Sequence, residues 1–409
     1  MSNKKGKSRS CNTKKPNKEK EDIIISPTLS FLPWTQEDES PDEEKFSYFW
    51  KNNNFNGLRK IGVLGLKNLT NTCFMNSSLQ CLSHIKYLYE LLDNFSDKSK
   101  SLCYNFAQFL NIMYKTTALK VYKPVDIFKY MCKKLPKYKS MQQQDANEFI
   151  SFFLSSMHEE LKSQKGNIKN FDISKEEYKK EFEFFSFYQN NSSPIIDIFY
   201  GNLLNVTKCP KGHVYDFDFS VFNMLELSIY NFKNLNKVEL ESLIKHYTKT
   251  NPLGINEFCP HCKVKSPSLF GIEILNAPNI LIIFINKVIN GIYYYNIIDF
   301  PTILDLDKIL LEDKNIGRQF ELIGIINHSG SASYGHYTAE CKNFIDNKWY
   351  SFNDSWASEL KKEKSSIFSI GGFLGSSNVQ GTLERNTSDK VLLLFYQRIN
   401  IKENKKNNK

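Results

Sequence analysis

No stretch of this 409-residue chain approaches the roughly 18 consecutive apolar residues that an α-helical membrane span needs; the longest candidate, around Ile280–Ile285, has strand length. No membrane association is expected. The N-terminus opens on Lys and Ser and lacks the apolar core and small-residue cleavage site of a secretory signal, so the chain is expected inside the cell, in cytoplasm or nucleus. Cysteine is too scattered for a disulfide framework: nine is an odd number, and reduced thiols serve as metal ligands, nucleophiles or buried small residues. There is no internal repeat. The body of the chain also lacks net charge. The total is +10, but residues 1–20 hold eight basic residues and one acid, and residues 402–409 hold four Lys and one Glu, so the two tails together equal the excess. With no recognisable nucleic-acid module between them, nucleic acid is not the expected partner. The Lys-rich first 20 residues read instead as an address to the nucleus or to an acidic surface.

What is present is core material. Hydrophobic residues make up 41% and aromatics 14%, enough for two to three domain-sized units and against wholesale disorder. Residues 1–58 are Lys/Asn/Ser-rich, then Asp/Glu-rich, with no sustained hydrophobic period, and are expected to form a disordered charged arm with apolar islands at Ile23–Ile25 and Phe31–Trp34. From Ile61 the texture changes. Apolar residues at helical spacing predict helices over Phe74–Asp93 and Asp145–Leu161, followed by a densely charged, exposed segment at 162–185. Beyond residue 200 the runs are of β type: Asn279–Lys287, Ile292–Phe300, Phe320–Asn327, Tyr337–Lys342, Trp349–Phe352 and Val391–Tyr396, with a Gly/Ser/Asn loop at 371–390.

Two segments carry chemistry. In Gly65–Gln80 a polar loop meets a helix start at Cys73, where partial positive charge and free N–H groups lower a thiol's pKa and can hold a developing oxyanion. In His328–Tyr337 and Trp349–Ser355, His336 and either Asn353 or Asp354 sit on predicted neighbouring strands. They could supply the imidazole a nucleophilic thiol needs and the group that fixes its tautomer. The order Cys, His, Asn/Asp is that of papain-like enzymes.

These segments resemble the Cys box and His box of ubiquitin-specific proteases, the papain-like deubiquitinating enzymes of the peptidase C19 group. Gln143–Phe149 with Met157–Leu161 is similar to the family's intermediate Gln-Asp motif, Leu275–Phe284 to its proline-led core strand, and Val391–Tyr396 to its closing strand. The resemblance implies an α+β, papain-like fold: a helical thumb at 59–190, β-rich fingers at 191–290 and a β-sheet palm at 291–400, ahead of a basic tail at 401–409. It implies Cys73 as nucleophile, His336 as general base, Asn353 as third member with Asp354 as a possible substitute, and Asn68 as oxyanion donor. The implied reaction is hydrolysis of the amide or isopeptide bond after ubiquitin's C-terminal glycine through a thioester. Gly335 and Tyr337 would line a narrow channel for the ubiquitin tail, and Asp145 and Glu148 would meet its arginines; an N-cap of the following helix is the other reading of Asp145. Ubiquitin and its conjugates are the implied partners, no cofactor is needed for the chemistry, and a monomer is expected.

Departures from the family pattern are specific. Thr70 stands where the family usually has Gly, which strains the loop if that position needs positive φ, and the core-strand motif ends in Asn286-Lys287-Val288. Cys259-Pro-His-Cys262 is a zinc knuckle, but its usual Cys-x-x-Cys partner reads Cys209-Pro-Lys-Gly-His213. Two readings stand open: a Cys₃His structural zinc site of Cys209, His213, Cys259 and Cys262, or a decayed site that folds without metal. Cys81, Cys103, Cys132 and Cys341 read as buried small residues, His84, His158 and His246 as surface or helix-face residues, His261 as solvent-facing, and His328 as a residue that shapes its loop. Three other functions compete: action on a different ubiquitin-like modifier, ubiquitin binding without catalysis, and nucleic-acid binding through the tails alone.

Overall fold

The computed structural model describes residues 59–162, 192–311, 317–360 and 384–399. The charged arm, the segment at 163–191, most of the 371–390 loop and the basic tail lie outside the described residues.

The helices come first. α1 (Cys73–Ser83), α2 (Lys86–Leu92), α3 (Ser101–Lys115), α4 (Val125–Lys134), α5 (Ala146–Leu161) and α6 (Pro194–Phe199) precede the main sheet, and α7 (Leu240–Tyr247) falls between two of its strands. All eleven residues of α1 are buried, so it is a central helix with no solvent face. Several of its polar side chains find backbone partners: Ser78 Oγ donates to the Phe74 carbonyl at 2.7 Å and Gln80 Nε2 to the Leu64 carbonyl at 2.6 Å. The apolar period over Phe74–Asp93 is a helix pair, not one helix. The break falls at His84, whose imidazole is buried against the Gln80 carbonyl at 2.7 Å, while Tyr114 Oη donates to the Ser83 carbonyl at 2.9 Å. Burial lowers the His84 imidazole to about 4, which corrects its reading as a surface residue.

β1 (Gly65–Leu66) and β2 (Val121–Tyr122) pair in parallel beside the Cys73 loop. Next come β3 (Gly201–Lys208), β4 (Val214–Phe222), β5 (Leu225–Ser228), β6 (Lys237–Glu239), β7 (Asn251–Cys259), β8 (Val264–Asn276), β9 (Ile280–Asn286), β10 (Val288–Ile289) and β11 (Ile292–Tyr293). The chain then runs through β12 (Ile297–Pro301), β13 (Ile303–Asp305), β14 (Gln319–Gly330), β15 (Gly335–Lys342), β16 (Trp349–Asn353), β17 (Trp356–Glu359), β18 (Arg385–Ser388) and β19 (Val391–Arg398). The large sheet has the order β17-β16-β15-β14-β19-β9-β5, with β13 added on β14, and a second sheet has the order β4-β3-β8-β7. The large sheet takes β5 and β9 from within the 191–290 stretch.

Both faces of the large sheet are covered, which explains its continuous apolar runs. On one side Ile280, Ile282, Ala339, Phe352, Leu393 and Phe395 pack with the helices from α1 to α6. On the other, Leu281, Ile283, Ile325, Leu394 and Tyr396 pack with Leu240, Leu243 and Ile244 of α7. The four-stranded sheet has a small core of its own, Leu204, Val206, Phe217 and Phe219. Three further readings need correction. Leu240–Tyr247 is helical within a β-textured region, Arg385–Ser388 within the expected loop pairs with β12, and His328 belongs to β14, where it is buried.

Candidate active site

Cys73 is the first residue of α1, at the helix end whose backbone N–H groups lack intrahelical partners. The turn before it is held by its own side chains: the Thr72 amide donates to Asn68 Oδ1 at 3.0 Å and the Leu69 amide to Thr72 Oγ1 at 2.8 Å. Thr70 and Asn71 take positive φ, 83° and 51°. Asn tolerates this region, but a β-branched residue pays about 1–2 kcal/mol there. The strain expected at Thr70 is therefore built into the loop. Thr70→Gly, which relieves it at some cost in unfolded-state entropy, is expected to raise the unfolding free energy by about 1 kcal/mol, read as a higher denaturant midpoint at unchanged slope.

His336, the second residue of β15, has its charged form favoured by the Cys73 side chain and is hydrogen-bonded through Nε2 to Asn353 Oδ1 at 2.7 Å. With an amide oxygen facing Nε2, that nitrogen carries the proton, and Nδ1 remains for the thiol. The Cys73 side chain and then the bond to Asn353 lift the imidazole to about 9, against burial, which lowers it. Asn353 ends β16, while Asp354 has φ 48° in the two-residue turn to β17, so the two neighbours point apart. Asp354 Oδ2 accepts from Asn68 Nδ2 at 2.9 Å and Oδ1 from Asn76 Nδ2 at 2.7 Å. Its carbonyl accepts from the Leu66 amide at 2.7 Å, tying this turn to β1. Of the two carboxamide or carboxylate candidates, Asn353 meets the imidazole and Asp354 orients Asn68.

Of the residues read as tail-binding, Gly335 and Tyr337 flank His336 and Asp145 reaches Tyr337. The Gly335 amide donates to Gln143 Oε1 at 2.8 Å, and Tyr337 Oη donates to Asp145 Oδ1 at 3.5 Å. Asp145 occupies the cap position of α5, but its side chain makes no capping bond. Burial and then Glu148 raise its carboxyl, outweighing Lys137. Glu148 is exposed and ion-paired with Lys137. Sequence reasoning missed Gln143, Asn76 and His328 as parts of this site. Gln143 was legible only as a member of its motif, Asn76 only as a polar residue one turn past Cys73, and His328 only as a histidine near the His box. The His328 ring lies 4.6 Å from that of Tyr337 and 5.7 Å from that of Tyr293.

Far along the four-stranded sheet, Cys209, His213, Cys259 and Cys262 bring their ligand atoms within 4.8 Å of one another. Cys209 Sγ lies 3.9 Å from Cys262 Sγ, and His213 Nδ1 lies 3.5 Å from Cys209 Sγ, 3.2 Å from Cys262 Sγ and 3.8 Å from Cys259 Sγ. A tetrahedral zinc ion with bonds of about 2.3 Å to sulfur and 2.0 Å to nitrogen separates its ligands by about 3.5–3.8 Å, so the donor set fits that ion. Gly212 at φ 91° gives the first half of the set the extra residue that a Cys-x-x-Cys knuckle would not need. The His261 ring lies tilted against that of His213, with centroids 5.0 Å apart.

An α+β framework that sets a helix-N-terminal thiol against a strand-borne imidazole, itself fixed by a carboxamide, has the layout of the papain-like hydrolases. A family model described as "Ubiquitin carboxyl-terminal hydrolase" matches residues 64–396, and the chain belongs to that family. Among curated proteins it is 29% identical over 317 residues to ubiquitin carboxyl-terminal hydrolase Usp2 of Drosophila melanogaster, a match covering 74% of this chain and 33% of that protein. It is 27% identical over 357 residues to ubiquitin carboxyl-terminal hydrolase 2 of Homo sapiens, covering 81% of this chain and 58% of that one. The chain thus spans between a third and three fifths of the length of these relatives. Among solved structures, the SAGA Ubp8/Sgf11/Sus1/Sgf73 DUB module bound to ubiquitin aldehyde aligns with TM-score 0.61 at 21% identity, covering 87% of this chain and 75% of that one. The resemblance to ubiquitin-specific proteases and the α+β fold are borne out.

Proposed function

We propose that the chain is a deubiquitinating cysteine protease that hydrolyses the bond after the C-terminal glycine of ubiquitin. The observation that carries this reading is the Cys73–His336–Asn353 arrangement, with His336 Nε2 bonded to Asn353 and the imidazole held near 9, chiefly by the Cys73 side chain. The Cys73 thiolate attacks the glycine carbonyl, the oxyanion is held by α1 amides and by Asn68, and the His336 imidazolium protonates the leaving amine. Water, deprotonated by the then neutral His336, hydrolyses the thioester. Asn68 spends one amide N–H on Asp354 and its oxygen on Thr72, which leaves its second N–H for the oxyanion. The Asp145 carboxyl is raised by partial burial and by Glu148, so an arginine of the ubiquitin tail would stabilise its charged form.

The test is hydrolysis of C-terminal amides of ubiquitin and of other ubiquitin-like modifiers across pH. Ubiquitin is expected to be preferred, and kcat/KM to fall on an alkaline limb near pH 9 as His336 loses its proton. Asn353→Ala removes a bond that stabilises the imidazolium, so the limb moves to lower pH and the rate falls at least about tenfold. The same sign governs stability. His336 is raised above its usual value of about 6.5, so its contribution is full below that pH and is lost as pH rises through about 9. Loss of activity on ubiquitin with retention on another modifier would replace this reading.

The Cys₃His set is proposed to hold a structural zinc ion, supported by its ligand separations. Purified protein is expected to carry roughly one zinc per chain, and Cys259→Ser or a chelator to remove the metal and lower the melting temperature. The ion would brace the end of the four-stranded sheet, where β7 is exposed along nearly its whole length, and takes no part at Cys73.

A further inference from the structure

Trp356 is 80% exposed, the most exposed large hydrophobic side chain among the described residues. It stands at one place in the fold. β16 and β17 form a two-residue hairpin in which Asn353 pairs directly with Trp356. Directly opposed residues of an antiparallel pair share a face, with Cβ atoms about 4.5–5.5 Å apart. The alternation agrees: Phe352 and Ala357 pack toward the helices, whereas Asn353, Trp356 and Ser358 are exposed on the other face. Asn353 on that face reaches the His336 imidazole, so Trp356 occupies the position paired with the residue that holds that imidazole, with its side chain largely open to solvent. The turn is rigid, since β1 binds the Asp354 carbonyl and a Cβ at Gly65 would overlap the Ser355 carbonyl. Trp356 is thus held in place while its side chain lies open to solvent.

Across the sheet the order is His328 on β14, His336 on β15, Asn353 on β16 and Trp356 on β17. Gln143 and Asp145, the thumb residues that touch β15, bond to Gly335 and Tyr337, so the residues read as tail-binding lie at the β15 side of the site. A group departing from the scissile bond must approach the His336 imidazolium to receive its proton. On the Asn353 side of that imidazole, the next side chain along the same face is the exposed indole. We propose that Trp356 is the contact for the leaving group, packing its face against the aliphatic stem of the conjugated lysine and the segment that carries it. This inference rests on the deubiquitinase reading and adds to it the part of the substrate beyond ubiquitin. Trp is suited to the role because a rigid aromatic plane gains both apolar contact and attraction to cationic side chains.

The experiment compares two substrates in wild type, Trp356→Ala and Trp356→Phe. One is ubiquitin with a small fluorogenic aryl amide at its C-terminus, and the other is ubiquitin joined through an isopeptide bond to the lysine of a peptide. In Trp356→Ala, kcat/KM on the isopeptide is expected to fall about tenfold, mostly through KM, with the aryl amide changed less than about twofold. Trp356→Phe should recover most of the loss. Equal losses on both substrates would show that the indole only shields or positions His336, and no loss on either would show that it is idle; each overturns the inference while leaving the activity standing. A wild-type chain that cleaves neither substrate overturns the activity and the inference with it.

Discussion

Cys73→Ala is expected to lower hydrolysis of a ubiquitin C-terminal amide by at least about 10⁴-fold while leaving the fold and ubiquitin affinity in place. Cys73 is almost fully buried at the head of α1, so alanine, a strong helix former, removes the sulfur with little change in packing. What disappears is the sulfur placed to attack. The remaining features, the helix N-terminus and Asn68, can still stabilise an oxyanion, but nothing in hydrogen-bond contact with His336 can form the thioester. A second effect separates loss of the nucleophile from a general defect. The thiol is the largest cause of the raised His336 imidazole, so the variant's imidazole should titrate lower than the wild type's, which is measurable by NMR. A variant retaining more than a few per cent of activity would move the nucleophile elsewhere.

Gly335→Ala is expected to cost about 10²-fold in kcat/KM although it adds one methyl group away from the thiol. A Cβ at Gly335 would overlap the His328 imidazole. That ring has little room to yield: it is buried between Tyr293 and Tyr337, and its backbone amide is bonded to the Lys390 carbonyl at 2.8 Å. Relief must come from the start of β15, which displaces His336 and weakens the Gly335–Gln143 bond. A displacement of about 1 Å at a reacting group is enough for a loss of that size. The double variant Gly335→Ala with His328→Ala removes the opposing ring and should recover part of the rate, a coupling that independent sites would not show. Losses that simply add would place the effect outside this contact.

Much of this site was legible because its members lie in short segments whose chemistry is local. Cys73 at a helix start, His336 on a strand after a small-residue loop, and the two-Cys knuckle needed no long-range information. Asn353 and Asp354 could not be separated from sequence. Their roles depend on where β16 ends, since Asn353 keeps the strand's alternation and Asp354 enters the left-handed turn. The split at His84 was hidden for a similar reason. The groups that terminate α1 include Tyr114, thirty-one residues further on, and the apolar period continues across the break. Glu148 looked free to meet a basic tail, but Lys137 on the preceding turn reaches it. His213 is the converse case, in which a turn with Gly212 at positive φ brings an off-pattern residue to ligand distance. The continuous apolar run Ile280–Ile285 follows from a strand covered on both faces.

Reaction with ubiquitin carrying an electrophile at its C-terminus tests the central claim most directly. The account predicts a single covalent adduct, mapped by peptide mass spectrometry to Cys73, absent in Cys73→Ala and slowed in Asn353→Ala. A folded chain that binds ubiquitin yet forms no adduct at Cys73, or forms it at another thiol, would contradict the account.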